Sequence, residues 1–171
     1  MPTTTHVKHP DPQTRRPTLV ELCQEVIRLA EAYPTALYEH PSKLYGEAES
    51  TCSYTLGTVR NGPRRCGCVF GQALINLSRN RKEMRKHLIS LERSVVASGR
   101  QAFLAIERFL ILHHLIRDFD NFDKELMAAA ARAQQAQDNG NGWKAVGRGL
   151  ESYLNEYFSR VLKAQRAHDQ S

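Results

Sequence analysis

The chain has 171 residues, 41% of them hydrophobic and 25% charged, with a net charge of +6. That length suits one domain with a core of its own. Four cysteines are too few for a disulfide scaffold, which points to a reducing, cytoplasmic setting. The first residues lack the apolar stretch of a signal peptide, and the strongest apolar run, 103–116, is too short to cross a bilayer and holds Glu107 and Arg108, so neither secretion nor a membrane is expected.

Residues 1–16, polar and rich in proline, read as a disordered tail. Thr18-Leu19-Val20-Glu21 is a capping box after Pro17. It opens a helix over about 18–33, with Leu19, Leu22, Cys23, Val26, Leu29, Ala30 and Tyr33 on one face. Pro34 ends that helix. Cys23 lies in the apolar stripe and reads as a buried small hydrophobe. Residues 35–50 form an irregular connection, with Pro41 and Gly46 as breakers.

A β-hairpin is expected over about 51–69. Cys52-Ser53-Tyr54-Thr55-Leu56 has strand composition, with Tyr54 and Leu56 on one face. Asn61-Gly62 is a two-residue turn signal, and Pro63 makes the returning strand an edge or an irregular one. Gly67 and Gly71 permit close backbone approach where strand becomes helix. The next helix runs over about 68–78, with Cys68 near its first turn.

A second, basic helix follows over 80–98, with Met84, Leu88, Leu91 and Val95 inward, cations outward and Gly99 at its end. Residues 101–117 are apolar nearly all round, the mark of a central helix. Asp120 or Asn121 caps a helix over about 122–137, and Asn139-Gly140-Asn141-Gly142 is a turn. The last helix spans about 143–165, with Trp143, Val146, Leu150, Leu154, Tyr157, Phe158, Val161 and Leu162 as its inward row. The fold class is thus mainly α (α+β). Residues 17–171 are expected to form a single globular domain, a helical bundle around the central apolar helix with one small N-terminal β-hairpin.

The charge is unevenly placed. Residues 60–100 hold ten Lys/Arg against Glu83 and Glu92, so this segment alone carries +8 and the rest of the chain is slightly acidic. Such a segment suits a polyanion or an acidic protein, or else a solvated helix face.

Two short patterns carry a resemblance. Cys68-x-x-Gly71-x-Ala73-Leu74, preceded by Cys52-x-Tyr54, and Gln137-Asp138-x-Gly140-x-x-Trp143 resemble segments of small uncharacterised proteins of actinobacteria and their phages. Tyr33-Pro34 at the end of the first helix is similar as well. The matching pieces cover about a third of the chain, and residues 80–120 lie outside them. The resemblance implies a phage or accessory-genome origin and no particular mechanism.

Chemical candidates are few. A thiol at a helix N-terminus beside Arg64 and Arg65 acquires a lowered pKa, which marks Cys66 and Cys68 for a cysteine-dependent enzyme. The bases it would need are His87, His113 or His114, and the sequence places none of them beside it. Cys52, Cys66 and Cys68 with one histidine can supply four zinc ligands. The Cys-x-x-Cys spacing is absent, however, and an Asn61-Gly62 turn sets Cys52 opposite Gly71, on the other face from Cys66 and Cys68, unless the register slips by one. His113, His114, Asp118 and Asp120 match no hydrolase signature, and a surface pair with a helix cap explains them. In Gln137-Asp138-x-Gly140-x-x-Trp143, Gly140 supplies a turn and Trp143 a core anchor, the other reading of Trp143 being an interface anchor.

No cofactor is expected, and catalysis less so than binding. The function expected is that of a binding protein that occupies a host or defence protein. Its basic helical surface is made by Arg64, Arg65, Arg79, Arg81, Lys82, Arg85 and Lys86. The alternative is a nucleic-acid-binding protein that contacts phosphates through residues 79–86. Against it, that segment has neither interleaved aromatics nor a recognition-helix motif.

Overall fold

A computed structural model describes residues 16–39, 53–55, 58–63, 67–97, 106, 109–110, 115–116 and 124–169. The fold is mainly helical with one small antiparallel sheet. The elements are α1 (Leu19–Ala32), β1 (Leu37–Glu39), β2 (Thr58–Arg60), α2 (Val69–Leu77), α3 (Arg81–Ala97), α4 (Lys124–Asp138) and α5 (Trp143–Asp169). Ile106, Phe109 and Leu110, in the run read as a central helix, are helical and buried. Leu115 and Ile116, at the end of that run, are buried as well; its other residues lie outside the described residues, as do residues 1–15.

Helix α1 starts as its capping box dictates. Thr18 Oγ1 accepts the Glu21 N–H at 3.1 Å, and Glu21 Oε2 accepts the Thr18 N–H at 2.8 Å. Two backbone donors of the open first turn are thereby satisfied. Thr18→Ala is expected to cost about 1 kcal/mol in urea unfolding. Leu19, Leu22, Cys23, Val26, Leu29 and Ala30 are all buried, whereas Tyr33 sits at the surface. Burial pushes the Cys23 thiol up to about 12, so it stays protonated and inert. Helix α1 packs on α2 and α5, and α5 also packs on α4. The approach of α1 to α5 is close because Gly147 has no side chain: a Cβ there would lie 2.4 Å from that of Ala30.

The sheet departs from the expected hairpin. Asn61 does take the left-handed conformation that its Asn-Gly pair suggests, with φ at 58°. Strand β2, however, pairs with β1 in the stretch read as irregular, in the register Leu37↔Arg60, Tyr38↔Val59 and Glu39↔Thr58. The segment read as its partner, Ser53–Thr55, is no strand. The backbone N–H and C=O groups of Ser53 and Thr55 are claimed by side chains and by the start of α2, and so are not offered to a ladder.

That segment is the centre of the core. Ser53, Tyr54 and Thr55 are each at most 2% exposed. The Ser53 N–H donates to Tyr38 Oη at 2.7 Å, and the Ser53 carbonyl accepts the Cys68 N–H at 2.9 Å. The Tyr54 ring stacks on Phe109 at 3.9 Å between centroids, and its hydroxyl donates to Gln134 Oε1 at 3.4 Å. Gln134 Oε1 also accepts the Ile106 N–H, which ties the apolar run to α4.

In α5 the inward row holds through Leu154, with Trp143, Val146 and Leu150 buried. The Trp143 ring meets Tyr33 edge-on at 6.3 Å, and its backbone N–H donates to the Ala36 carbonyl at 3.0 Å. Gly140, at φ 86°, makes the turn into α5. Beyond Leu154 the expectation fails: Phe158, Val161 and Leu162 are exposed.

Candidate functional site

The basic segment forms α3, and Asn80 starts it. Asn80 Oδ1 accepts the Glu83 N–H at 3.1 Å, and Asn80 Nδ2 donates to Glu83 Oε2 at 2.8 Å. This reciprocal N-cap arrangement orders the first turn. The helix then splits into two rows at helical spacing. Lys82, Lys86 and Arg93 are exposed, and Arg79 and Arg81 are exposed at the helix entrance. Lys82, Lys86 and Arg93 form no ion pair among the described residues. The inner row holds Arg85, Leu88 and Glu92, with Leu88 and Glu92 fully buried.

Glu92 is the feature that the sequence does not announce. There it counts as one of two acids in a cationic stretch. In the structure its Oε1 accepts the Thr55 N–H at 2.9 Å and the Ser53 hydroxyl at 3.3 Å, while Oε2 accepts the Thr55 hydroxyl. Burial pushes its carboxyl above the ordinary range, partly countered by the hydrogen bonds from Thr55, Tyr54 and Ser53. The one signal available was its place four residues after Leu88 and eight after Met84, on the inward row, where an acid needs donors. Ser53 and Thr55 provide them.

Arg85 belongs to this anchor more than to the cationic face. It is half-buried, and its guanidinium donates to the Thr55 carbonyl at 3.4 Å. Thr55 is thus gripped at its carbonyl by Arg85 and at its N–H and hydroxyl by Glu92. Of the basic residues named from the sequence, Arg79, Arg81, Lys82 and Lys86 present themselves to solvent, whereas Arg64 and Arg65 lie outside the described residues.

Beside the entrance to α3, a polar cluster joins α1 to α2. Glu25 accepts two hydrogen bonds from Arg28, at 2.6 and 2.7 Å, and one from Asn76 Nδ2 at 2.7 Å. Gln72 Nε2 donates to Asn76 Oδ1 at 2.7 Å. Partial burial pushes the Glu25 carboxyl up, but the bonds from Arg28 and Asn76, with the nearby charge of Arg81, bring it below the ordinary range.

Cys68 is the N-cap of α2. Its Sγ accepts the Gly71 N–H at 3.4 Å, and the side chain is fully buried. It therefore serves as a cap at the place where a reactive thiol was considered. Cys52 and Cys66, the other candidate zinc ligands, lie outside the described residues, as do His113, His114, Asp118 and Asp120. Among the described residues no three His, Cys, Asp or Glu side chains come together as a metal site. The hairpin register that set Cys52 against Gly71 does not form, since β2 pairs upstream.

The two patterns that carry the resemblance meet in space. Gln137 Oε1 accepts the Val69 N–H at 2.9 Å, so the end of α4 caps the start of α2 right after Cys68. Gln137 and Cys68 between them satisfy two of the first N–H groups of α2. This junction holds the core segment from one side while α3 holds it from the other.

Comparison with family models, with curated proteins and with solved structures finds no match.

Proposed function

We propose that this chain is a non-enzymatic binding protein of the phage or accessory-genome kind. It presents the outer face of α3 to an acidic surface of a host or defence protein in the cytoplasm. The observation that supports this reading is the division of α3 into two rows. Leu88 and Glu92 fix the inner row to the core, while Lys82, Lys86 and Arg93 stand in solvent with no ion pair among the described residues. A cationic row on an anchored helix steers and orients an acidic partner without further ordering. Residues 81–93 contain no Phe, Tyr or Trp on which a base could stack, which weighs against single-stranded nucleic acid.

Charge reversal at Lys82 and Lys86 tests the reading. Both side chains are exposed, so Lys82→Glu/Lys86→Glu should unfold at the wild-type temperature. Recovery of the partner from host lysate, followed by mass spectrometry, should drop about tenfold or more. Arg85 is left intact because its reversal would disturb Thr55 as well. Undiminished recovery would show that the charge only keeps the chain in solution. Duplex DNA separates the alternative: steep loss of affinity between about 50 and 200 mM salt marks phosphate as the target. No retention at low salt removes it.

A further inference from the structure

We infer that Asn141, in the turn between α4 and α5, is a modification site. It converts to aspartate and isoaspartate when the Gly142 backbone nitrogen attacks its side-chain amide. The chain holds three Asn-Gly pairs, at Asn61, Asn139 and Asn141. All three asparagines are exposed. A glycine follows each, so no side chain shields the attacking nitrogen. In sequence the three are alike, and the fold separates them.

The chemistry sets two conditions. Hydroxide takes the glycine N–H proton, and the nitrogen attacks the asparagine Cγ. A Cγ–N bond forms, the Cγ–Nδ2 bond breaks, and ammonia leaves with a proton drawn from water, which restores the hydroxide. Water then opens the cyclic imide at either carbonyl. Cleavage of the new Cγ–N bond gives aspartate. Cleavage of the original backbone C–N bond gives isoaspartate, whose main chain runs through the side chain. Water is consumed, ammonia is released, and nothing is oxidised or reduced. The glycine N–H must therefore be free, and the backbone must let that nitrogen swing toward Cγ.

Asn139 and Asn61 each fail one condition. The Gly140 N–H donates to the Gln137 carbonyl at 2.9 Å, at the end of α4, and must leave that bond to react. Asn61 is left-handed, with φ at 58°. In that region ψ is about +47°, which turns the next nitrogen nearly opposite Cβ across the Cα–C bond, away from ring closure. Asn141 meets both conditions. It is not left-handed. Neither its side chain nor the Gly142 N–H makes a hydrogen bond among the described residues. The flanks are anchored: the Asn141 N–H donates to the Ala136 carbonyl and the Trp143 N–H to the Ala36 carbonyl, each at 3.0 Å. Either product sets a carboxylate beside the start of α5, where the helix dipole favours it. Isoaspartate also lengthens the main chain between those anchors, which loosens the seat of α5 on Ala36. The proposal does not rest on the role given to α3.

Peptide mass spectrometry of the full chain, kept folded at mildly alkaline pH and sampled over days, tests it. Asn141 should convert about fivefold or more faster than Asn139, the worth of the Gly140 hydrogen bond. It should outpace Asn61 as well. In guanidinium chloride the three rates should converge, because the fold no longer distinguishes them. Gly142→Ala should slow Asn141 severalfold and leave Asn61 and Asn139 as in the wild type. A Cβ at Gly142 would lie 3.4 Å from the Ala36 carbonyl oxygen and 3.5 Å from Leu37 Cδ2, which are ordinary contacts, so the variant should fold. Equal conversion of Asn61 or Asn139 in the folded wild type would overturn the proposal, whatever the variant does. So would an Asn141 that stays intact while the denatured chain converts, or a Gly142→Ala chain that converts at the wild-type rate.

Discussion

Gly71→Ala is expected to abolish the folded state or to lower its stability by about 3 kcal/mol or more. A Cβ at Gly71 would lie 1.8 Å from the Tyr54 carbonyl oxygen, 2.6 Å from its carbon and 2.8 Å from its Cα. These are backbone atoms, so no rotamer change relieves the overlap. The segment cannot retreat either. Tyr38 holds Ser53, Glu92 and Arg85 hold Thr55, and the Tyr54 ring is stacked on Phe109. Gly67 faces the same segment, with a Cβ 2.3 Å from the Tyr54 carbonyl group. Gly149 is the control. It lies inside α5, where an added Cβ meets nothing within 4 Å, so Gly149→Ala should stabilise by roughly 0.5–1 kcal/mol. Urea unfolding of the two variants beside the wild type measures the contrast. A stable Gly71→Ala protein would show that Tyr54 does not pass beneath α2.

The local features were legible because each is set by residues close in sequence. Thr18 and Glu21 signal a capping box, the row from Leu19 to Ala30 signals a buried face, and Gly140 signals a turn. Gly67 and Gly71 also announced a close backbone approach, though not what approaches. The features that were not legible are pairings between distant residues. Strand β2 has little to choose by, since three-residue strands carry almost no pattern to fix a partner or a register. Ser53–Thr55 has the composition of a strand, but its backbone is satisfied by Tyr38, Arg85 and Glu92, from two other parts of the chain. In α5, periodicity predicted an apolar face correctly and burial wrongly at Phe158, Val161 and Leu162. Periodicity says which side of a helix is apolar, and the length of the neighbouring helices decides where that side is covered. The candidate site was half visible for the same reason. Lys82 and Lys86 read as surface cations and are, while the anchoring roles of Arg85 and Glu92 needed the Thr55 backbone to be placed.

Glu92→Ala should be nearly as damaging as the glycine change, at roughly 3–5 kcal/mol by urea unfolding. It leaves the Thr55 N–H and the Ser53 and Thr55 hydroxyls without their acceptor in a site closed to water. Glu92→Gln should be far milder, about 1–2 kcal/mol near neutral pH. Its amide oxygen still accepts the Thr55 N–H, and the Thr55 hydroxyl can turn to accept from the amide nitrogen. The pair also yields a pH signature. Burial raises the Glu92 carboxyl above its unfolded value despite the bonds from Thr55, Tyr54 and Ser53. The folded chain therefore holds this proton to higher pH than the unfolded chain does. Stability from the group is complete below the unfolded pKa and is lost as pH rises through the folded one. The wild type should thus lose ground to Glu92→Gln as pH rises from about 4.5 toward neutrality. Paired urea midpoints across that range measure it. A wild type that instead gains on Glu92→Gln would mean that the surrounding donors outweigh burial. The anchor of α3 would then be an ionised carboxylate held by Ser53, Tyr54 and Thr55.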